Sequence, residues 1–233
     1  MRILEGFLEL GRARLWLSLM VLSVFSTCVS AQDFLEEFNL GNRKLGLAGE
    51  SRYFNLNPGF QIVLVSSHTK LTITVLHETK EIGGVVTRVF EEQEEVGSEL
   101  YEVSCNFYAI DPQTKDVFYF GEEVDFYKGG QVVDHKGAWL AYQSGDRPGL
   151  IMAPTPWIGM RYYQELAPGV AMDRVEVVRM SQTIQTPVGQ LSNCLLTKET
   201  SAIEPITGYK TCAPGIGLVQ DQSLKLVSYG YRR

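Results

Sequence analysis

The chain is poor in the residues that usually carry chemistry. It has three histidines, His68, His77 and His135, and no two are spaced to share a metal. There is no H-E-x-x-H helix motif, no G-x-S-x-G elbow, no P-loop and no G-x-G-x-x-G. Gly215-Ile216-Gly217-Leu218 has only two of the needed glycines and follows a proline, so it reads as a turn. The four cysteines contain no C-x-x-C pair, which excludes a thioredoxin-like redox motif and a zinc clamp. No basic stripe exists, and 21 Lys+Arg face 27 Asp+Glu, so nucleic acid and anionic lipid are disfavoured partners. Beyond the N-terminus no run is apolar enough to cross a bilayer as a helix. No cofactor is indicated.

What is present begins with a leader. Arg2, Arg12 and Arg14 precede the apolar stretch Leu15–Phe25, and Val29-Ser30-Ala31 offers the small residues of a cleavage site. A charged start, a short greasy core and a small-residue exit describe a secretory signal peptide over 1–31. The expected location is therefore exported, periplasmic or extracellular. A lipid anchor on Cys28, after Phe25-Ser26-Thr27, is the lesser alternative. Removal of the leader leaves about 200 residues, enough for one domain with a real core, and makes the chain one unit more negative than its −6.

Residues 32–52 read as a short helix, Asp33–Leu40, followed by a Gly-rich charged linker. From Tyr53 to Arg233 the pattern is strand, turn, strand. Aromatic and β-branched enrichment marks Phe60–Ser66, Leu71–Glu78, Val85–Glu92 and Glu99–Ile110, then Met160–Leu166, Arg174–Gln185, Gly189–Thr197, Gly208–Cys212 and Leu224–Tyr229. The stretch Cys105–Trp139 is an antiparallel meander cut at Asp111-Pro112 and at Gly129-Gly130. The expected fold is mainly β: a single curved antiparallel sheet or half-open barrel in one domain over 53–233. Ala141–Ile158, with Pro148, Pro154 and Pro156 among apolar residues, reads as a long crossing loop. Tyr163-x3-Ala167-Pro168-Gly169 recurs as Tyr209-x3-Ala213-Pro214-Gly215, so the chain turns the same kind of corner twice.

Candidate binding residues cluster on and around that crossing segment. Trp139, Tyr142, Leu150, Ile151, Met152, Trp157, Met160 and Tyr162 would line an apolar pocket, or else complete the core. The acidic run Glu91, Glu92, Glu94, Glu95 with Glu99 is better read as a solvated hairpin tip than as a cation site. Asp111, Asp116, Glu122, Glu123 and Asp125 hold enough carboxylates for an acid–base pair, without indicating which two meet. Cleavage leaves Cys105, Cys194 and Cys212, so one disulfide or three buried thiols are both open.

The segment Tyr209-x3-Ala213-Pro214-Gly215-Ile216-Gly217-Leu218-Val219, with Asn193-Cys194-Leu195, Pro148-Gly149-Leu150-Ile151-Met152 and Tyr119-Phe120-Gly121-Glu122, resembles a group of exported bacterial β-rich proteins. That group is similar in outline to periplasmic lipoprotein-carrier folds. The resemblance implies a curved sheet that cups an apolar molecule or a lipid-modified partner, and it carries no catalytic residue. Set against its pattern, Cys105 and Cys212 both stand at unusual places, which favours pairing them if their strands are neighbours; Cys194 with Cys212 is the other pair. The competing functional readings are an interaction module of an envelope assembly, joined through sheet edges or the arm before Tyr53, and, less supported, a hydrolase or lyase.

Overall fold

The computed structural model describes residues 33–232. The leader and Cys28 lie outside them. Seventeen strands follow one another: β1 (Glu50–Ser51), β2 (Phe54–Asn55), β3 (Phe60–Val65), β4 (Thr69–Ile82), β5 (Val85–Val96), β6 (Glu99–Ile110), β7 (Val117–Lys128), β8 (Gln131–Asp134), β9 (Trp139–Leu140), β10 (Arg147–Met152), β11 (Arg161–Tyr163), β12 (Glu165–Leu166), β13 (Asp173–Thr186), β14 (Gly189–Ser201), β15 (Thr207–Ala213), β16 (Gly217–Asp221) and β17 (Leu224–Tyr231). Apart from the small β1–β2 ribbon, they form one antiparallel sheet. Its order runs β11-β13-β14-β15-β16-β17-β3-β4-β5-β6-β7-β10-β12, with β8 and β9 filling the rest of the β7 edge.

The two ends of that order are consecutive in the chain. β11 pairs with β13 through Tyr162↔Val175, and three residues later β12 pairs with β10 through Pro148↔Glu165. The segment Arg161–Leu166 thus bridges both ends of the sheet and nearly closes a barrel. Closure satisfies edge N–H and C=O groups that an open sheet would leave exposed. Hairpin chemistry sets the long staves: Gly83-Gly84, Gly97-Ser98 and Gly129-Gly130 all take positive φ at the tips between β4 and β5, β5 and β6, and β7 and β8. The repeated corner is real. Gly169 and Gly215 have φ of 82° and 73°, and Val170 and Ile216 each donate N–H to the carbonyl of the alanine three residues back.

Two expectations change. Asp33–Leu40 is not a helix: Leu35 bridges Tyr162 in parallel, donating to the Arg161 carbonyl and accepting from the Tyr163 N–H. The free edge of β11 offers those partners, and edge pairing outweighs a weak helical pattern. The arm is then clamped along the sheet. Arg43 reaches Asp111 and Asp116, both at 3.0 Å, and lies over the Phe118 ring, which also packs Phe38. Nor is Ala141–Ile158 an unbroken crossing loop. Its middle is β10, whose Gly149 and Leu150 pair with Tyr119 and Phe118.

Gly149 shows how tight the closure is. A Cβ there would stand 1.9 Å from the Gln164 carbonyl oxygen. Gly149→Ala is therefore expected to destabilise the barrel by about 3 kcal/mol or more, read by urea unfolding. Gly41→Ala, with open space around it, should stay within about 0.5 kcal/mol. Equal effects would show that closure through Arg161–Leu166 is not tight.

Candidate functional site

Alternation along the staves sends one residue set outward and the other into a cavity of about 390 Å³. Phe118 meets the arm outside, while its neighbour Tyr119 lines the cavity. On β6, Glu102, Ser104, Asn106 and Tyr108 all point inward, at every second place. Across the β5–β6 register, Glu92 lies opposite Ser104 and Phe90 opposite Asn106. Across β6–β7, Asn106 lies opposite Glu122 and Tyr108 opposite Tyr119. A bulge at Gly121, φ 131°, turns Glu122 inward, and the space that glycine leaves is taken by the Trp139 carbonyl.

One wall is aromatic. Phe54 stacks on Phe90 with centroids 5.2 Å apart, and Tyr108 meets both rings edge-on and lies 4.7 Å from Tyr119. The Tyr119 hydroxyl hydrogen-bonds Asn106 Oδ1, and the Asn106 amide donates to Ser104 at 3.1 Å. Six carboxylates also line the cavity: Glu92, Glu102, Glu122, Glu165, Asp173 and Glu199. The cation that lines it, Lys210, donates to Glu199 at 2.8 Å.

The charges respond as desolvated groups do. Burial pushes Glu92 and Glu122 up to about 7. Glu165 is raised well above the usual carboxylate range, first by burial and then by the Glu122 charge. Glu102 and Asp173 move the same way, again chiefly by burial. Lys210 moves up because Glu199 faces it, against the opposing effect of burial. The Cys212 thiol is pushed up to about 12 by burial, which makes it a poor nucleophile.

The eight residues singled out from the sequence divide. Ile151, Met152 and Tyr162 line the cavity. Leu150 is buried in the wall, and Trp139, 4% exposed, packs edge-on against Tyr119. Tyr142 lies outside, 51% exposed and beside Phe120. Trp157 and Met160 border a separate surface hollow with Phe34 and Leu35. The acidic run is not a hairpin tip: it is the body of β5, with the tip at Gly97-Ser98, so alternation carries Glu92 inside. Asp111 and Asp116 hold Arg43, Glu123 holds Lys80 on the outer face, and Asp125 lies 2.8 Å from the exposed His135 ring.

Neither proposed disulfide forms, and all three thiols are free. Cys105 on β6 and Cys212 on β15 lie on strands that are far apart in the sheet order, which removes the condition for pairing them. Cys194 and Cys212 are on adjacent strands, but it is Leu195 that stands opposite Cys212. Among the described residues, no group of three or more His, Cys, Asp or Glu is arranged to hold a metal ion, and no helix is long and apolar enough to cross a membrane.

Sequence reasoning missed the acidic lining. A signal existed in Glu102-x-Ser104-x-Asn106-x-Tyr108, polar at alternate places. The interleaved Val103, Cys105, Phe107 and Ala109 made the opposite face look like the inner one. The arm and the Lys80 side chain cover part of that outer face instead.

The fold and cavity define a class: an antiparallel β-barrel with an aromatic and acidic interior. No protein-family profile matches the chain, and no curated protein does. Among solved structures it is similar to the crystal structure of a putative lipoprotein from Parabacteroides distasonis, at 10% identity and a TM-score of 0.37, over 78% of this chain and 100% of that one. A likeness that distant bears no functional weight. The resemblance of the Tyr209–Val219 signature rests on its own residues.

Two stability tests follow. Glu92 and Glu122 hold a proton more tightly folded than unfolded, so their favourable contribution is full below their ordinary 4.5 and is lost as pH rises through about 7. Unfolding free energy should fall between pH 5 and pH 8 by on the order of a few kcal/mol, and Glu122→Gln should flatten that profile. A flat wild-type profile would mean the carboxylates are well hydrated. Separately, Lys210→Met should cost about 2 kcal/mol at pH 8, and adding Glu199→Gln should recover part of it. Full additivity in that cycle would contradict the pairing.

Proposed function

We propose that the mature chain is an exported, non-enzymatic binding protein that holds a small molecule inside its barrel. The observation that supports this best is the cavity itself, whose volume of about 390 Å³ suits a small ligand. Its lining mixes a hydrophobic wall with convergent polar groups, as ligand sites do. Export is supported by the leader at 1–31.

The lining also refines what kind of molecule fits. A wholly apolar ligand or acyl chain would displace water from several carboxylates and offer nothing in return. Leaving a charge uncompensated in a dry site is costly, and the groups would have to take up protons. The occupant therefore needs an apolar body for Phe54, Phe90 and Ile151 and polar groups for the carboxylates interspersed with them. The alternative of an envelope interaction module has less behind it. The arm is clamped along the barrel through Arg43, and the sheet ends are bridged through one segment. What the surface does offer is Trp157 and Ile158, 54% and 64% exposed.

The test is native mass spectrometry of protein purified from its envelope or culture fraction, followed by denaturing extraction. A stoichiometric small molecule released on unfolding is the expected result. A bare mass in every preparation, with no thermal shift across a chemically diverse panel, would end the proposal. A compound returned chemically changed would move the protein to the hydrolase or lyase class.

A further inference from the structure

We propose that the cavity takes a linear organic cation with two or more separated ammonium groups, its nitrogens on the cavity carboxylates and its methylenes along the aromatic wall. This rests on the reading of the cavity as a ligand site and names the ligand's chemistry.

The first support is a charge imbalance. Six carboxylates line the cavity against one lysine, and that lysine is held by Glu199 at 2.8 Å. The nearby basic side chains are engaged elsewhere. Lys80 is on Glu123 and Lys70 on Glu95, while Arg43 is on Asp111 and Asp116. Arg161 is on Glu176, and Arg88 is spent on the carbonyls of Leu47 and His77. Among the described residues, Glu92, Glu102, Glu122, Glu165 and Asp173 form no salt bridge; Glu92, Glu165 and Asp173 feel the charge of Lys210, which Glu199 already holds.

The second support is independent of charge. Gln164 is only 8% exposed and lines the cavity, yet its amide has no hydrogen-bond partner among the described residues. Its polar atoms are open to the cavity, and a group so placed is ordinarily satisfied by water or a ligand in the space it faces. Its place in the chain is telling. In the repeated Tyr-x3-Ala-Pro-Gly segment, Gln164 occupies the position that Lys210 holds in the second copy. The second copy brings its own cation into the cavity. The first brings a neutral amide whose oxygen can accept from an ammonium N–H.

The third is the aromatic part of the lining, largely on the same strands β5, β6 and β7 as Glu92, Glu102 and Glu122. The faces of Phe54, Phe90, Tyr108 and Tyr119 attract ammonium groups through their ring quadrupoles and accept methylenes equally well. A single metal ion suits the lining less. Divalent cations require several oxygens converging at about 2.0–2.6 Å, and the described carboxylates form no such group. They come from β5, β6, β7, β12, β13 and β14, a spread that matches spaced charges rather than one point.

The experiment is calorimetric titration of the whole mature chain with 1,8-diaminooctane, its uncharged counterpart octane-1,8-diol, and spermidine. The diamine and spermidine should bind one to one, with the diamine roughly 100-fold tighter than the diol. Glu122→Gln and Glu165→Gln should each weaken the diamine by about 10-fold or more. Both keep the shape of the side chain and remove only its capacity to ionise, so thermal melts should show folded protein. Glu123→Gln, on the same strand but facing Lys80 outside, should leave the affinity unchanged. Equal binding of diol and diamine, or indifference to Glu122→Gln and Glu165→Gln, overturns the cation inference and leaves the cavity as a ligand site. Failure of all three compounds while another molecule co-purifies also overturns it alone. Failure of all three with no co-purifying molecule takes down both this inference and the ligand-binding reading.

Discussion

Closure of the sheet through Arg161–Leu166 is the constraint on which the structure depends. Six residues carry β13 on one side, and on the other first Leu35 of the arm and then β10. Without that bridge the sheet would end in two exposed edges and the cavity would be an open trough. Gly149 is required where it stands because the backbone of Gln164 occupies the space a side chain would need. The same tight approach delivers Gln164 and Glu165 into the cavity. Stability and site are therefore parts of one arrangement.

The interior sets unfavourable electrostatics against favourable packing. Tyr162, Leu64, Val75, Leu195 and Leu226 are essentially fully buried, while carboxylates on neighbouring staves share the cavity with one lysine. Burying charge without a partner opposes folding. The raised affinity of Glu92 and Glu122 for protons expresses that opposition. Groups perturbed in this way concentrate at functional sites, because a site complementary to a ligand is incomplete without it. Structural packing alone would have placed apolar side chains at these positions at lower cost.

Much of the architecture was legible in the linear pattern. Strand starts at Phe60, Val85, Glu99 and Gly189 coincide with those expected, since turn glycines and alternation are local properties. The twin Pro-Gly corners were legible for the same reason. The arm was misjudged because its helical pattern is weak and its partner, the edge at Tyr162, lies more than a hundred residues away. The crossing segment was misjudged because β10 is defined by pairing with β7, which no local pattern reveals. Of the eight binding residues expected, Ile151, Met152 and Tyr162 reach the cavity; apolar character could not say which side of the wall each would face.

By itself, the sequence determined that the chain forms successive antiparallel staves joined by tight turns, because turn residues and side-chain alternation act over a few residues. Only the tertiary structure decided which face of each stave turns inward. That choice depends on where the sheet closes and on what covers its outside. Phe118 could face outward only once the arm, with Phe38, lay over it, and Glu92, Glu122 and Glu165 could share a cavity only once the ends of the sheet were joined. The make-up of the cavity therefore follows from the direction of curvature, a global property that alternation along a strand leaves undetermined.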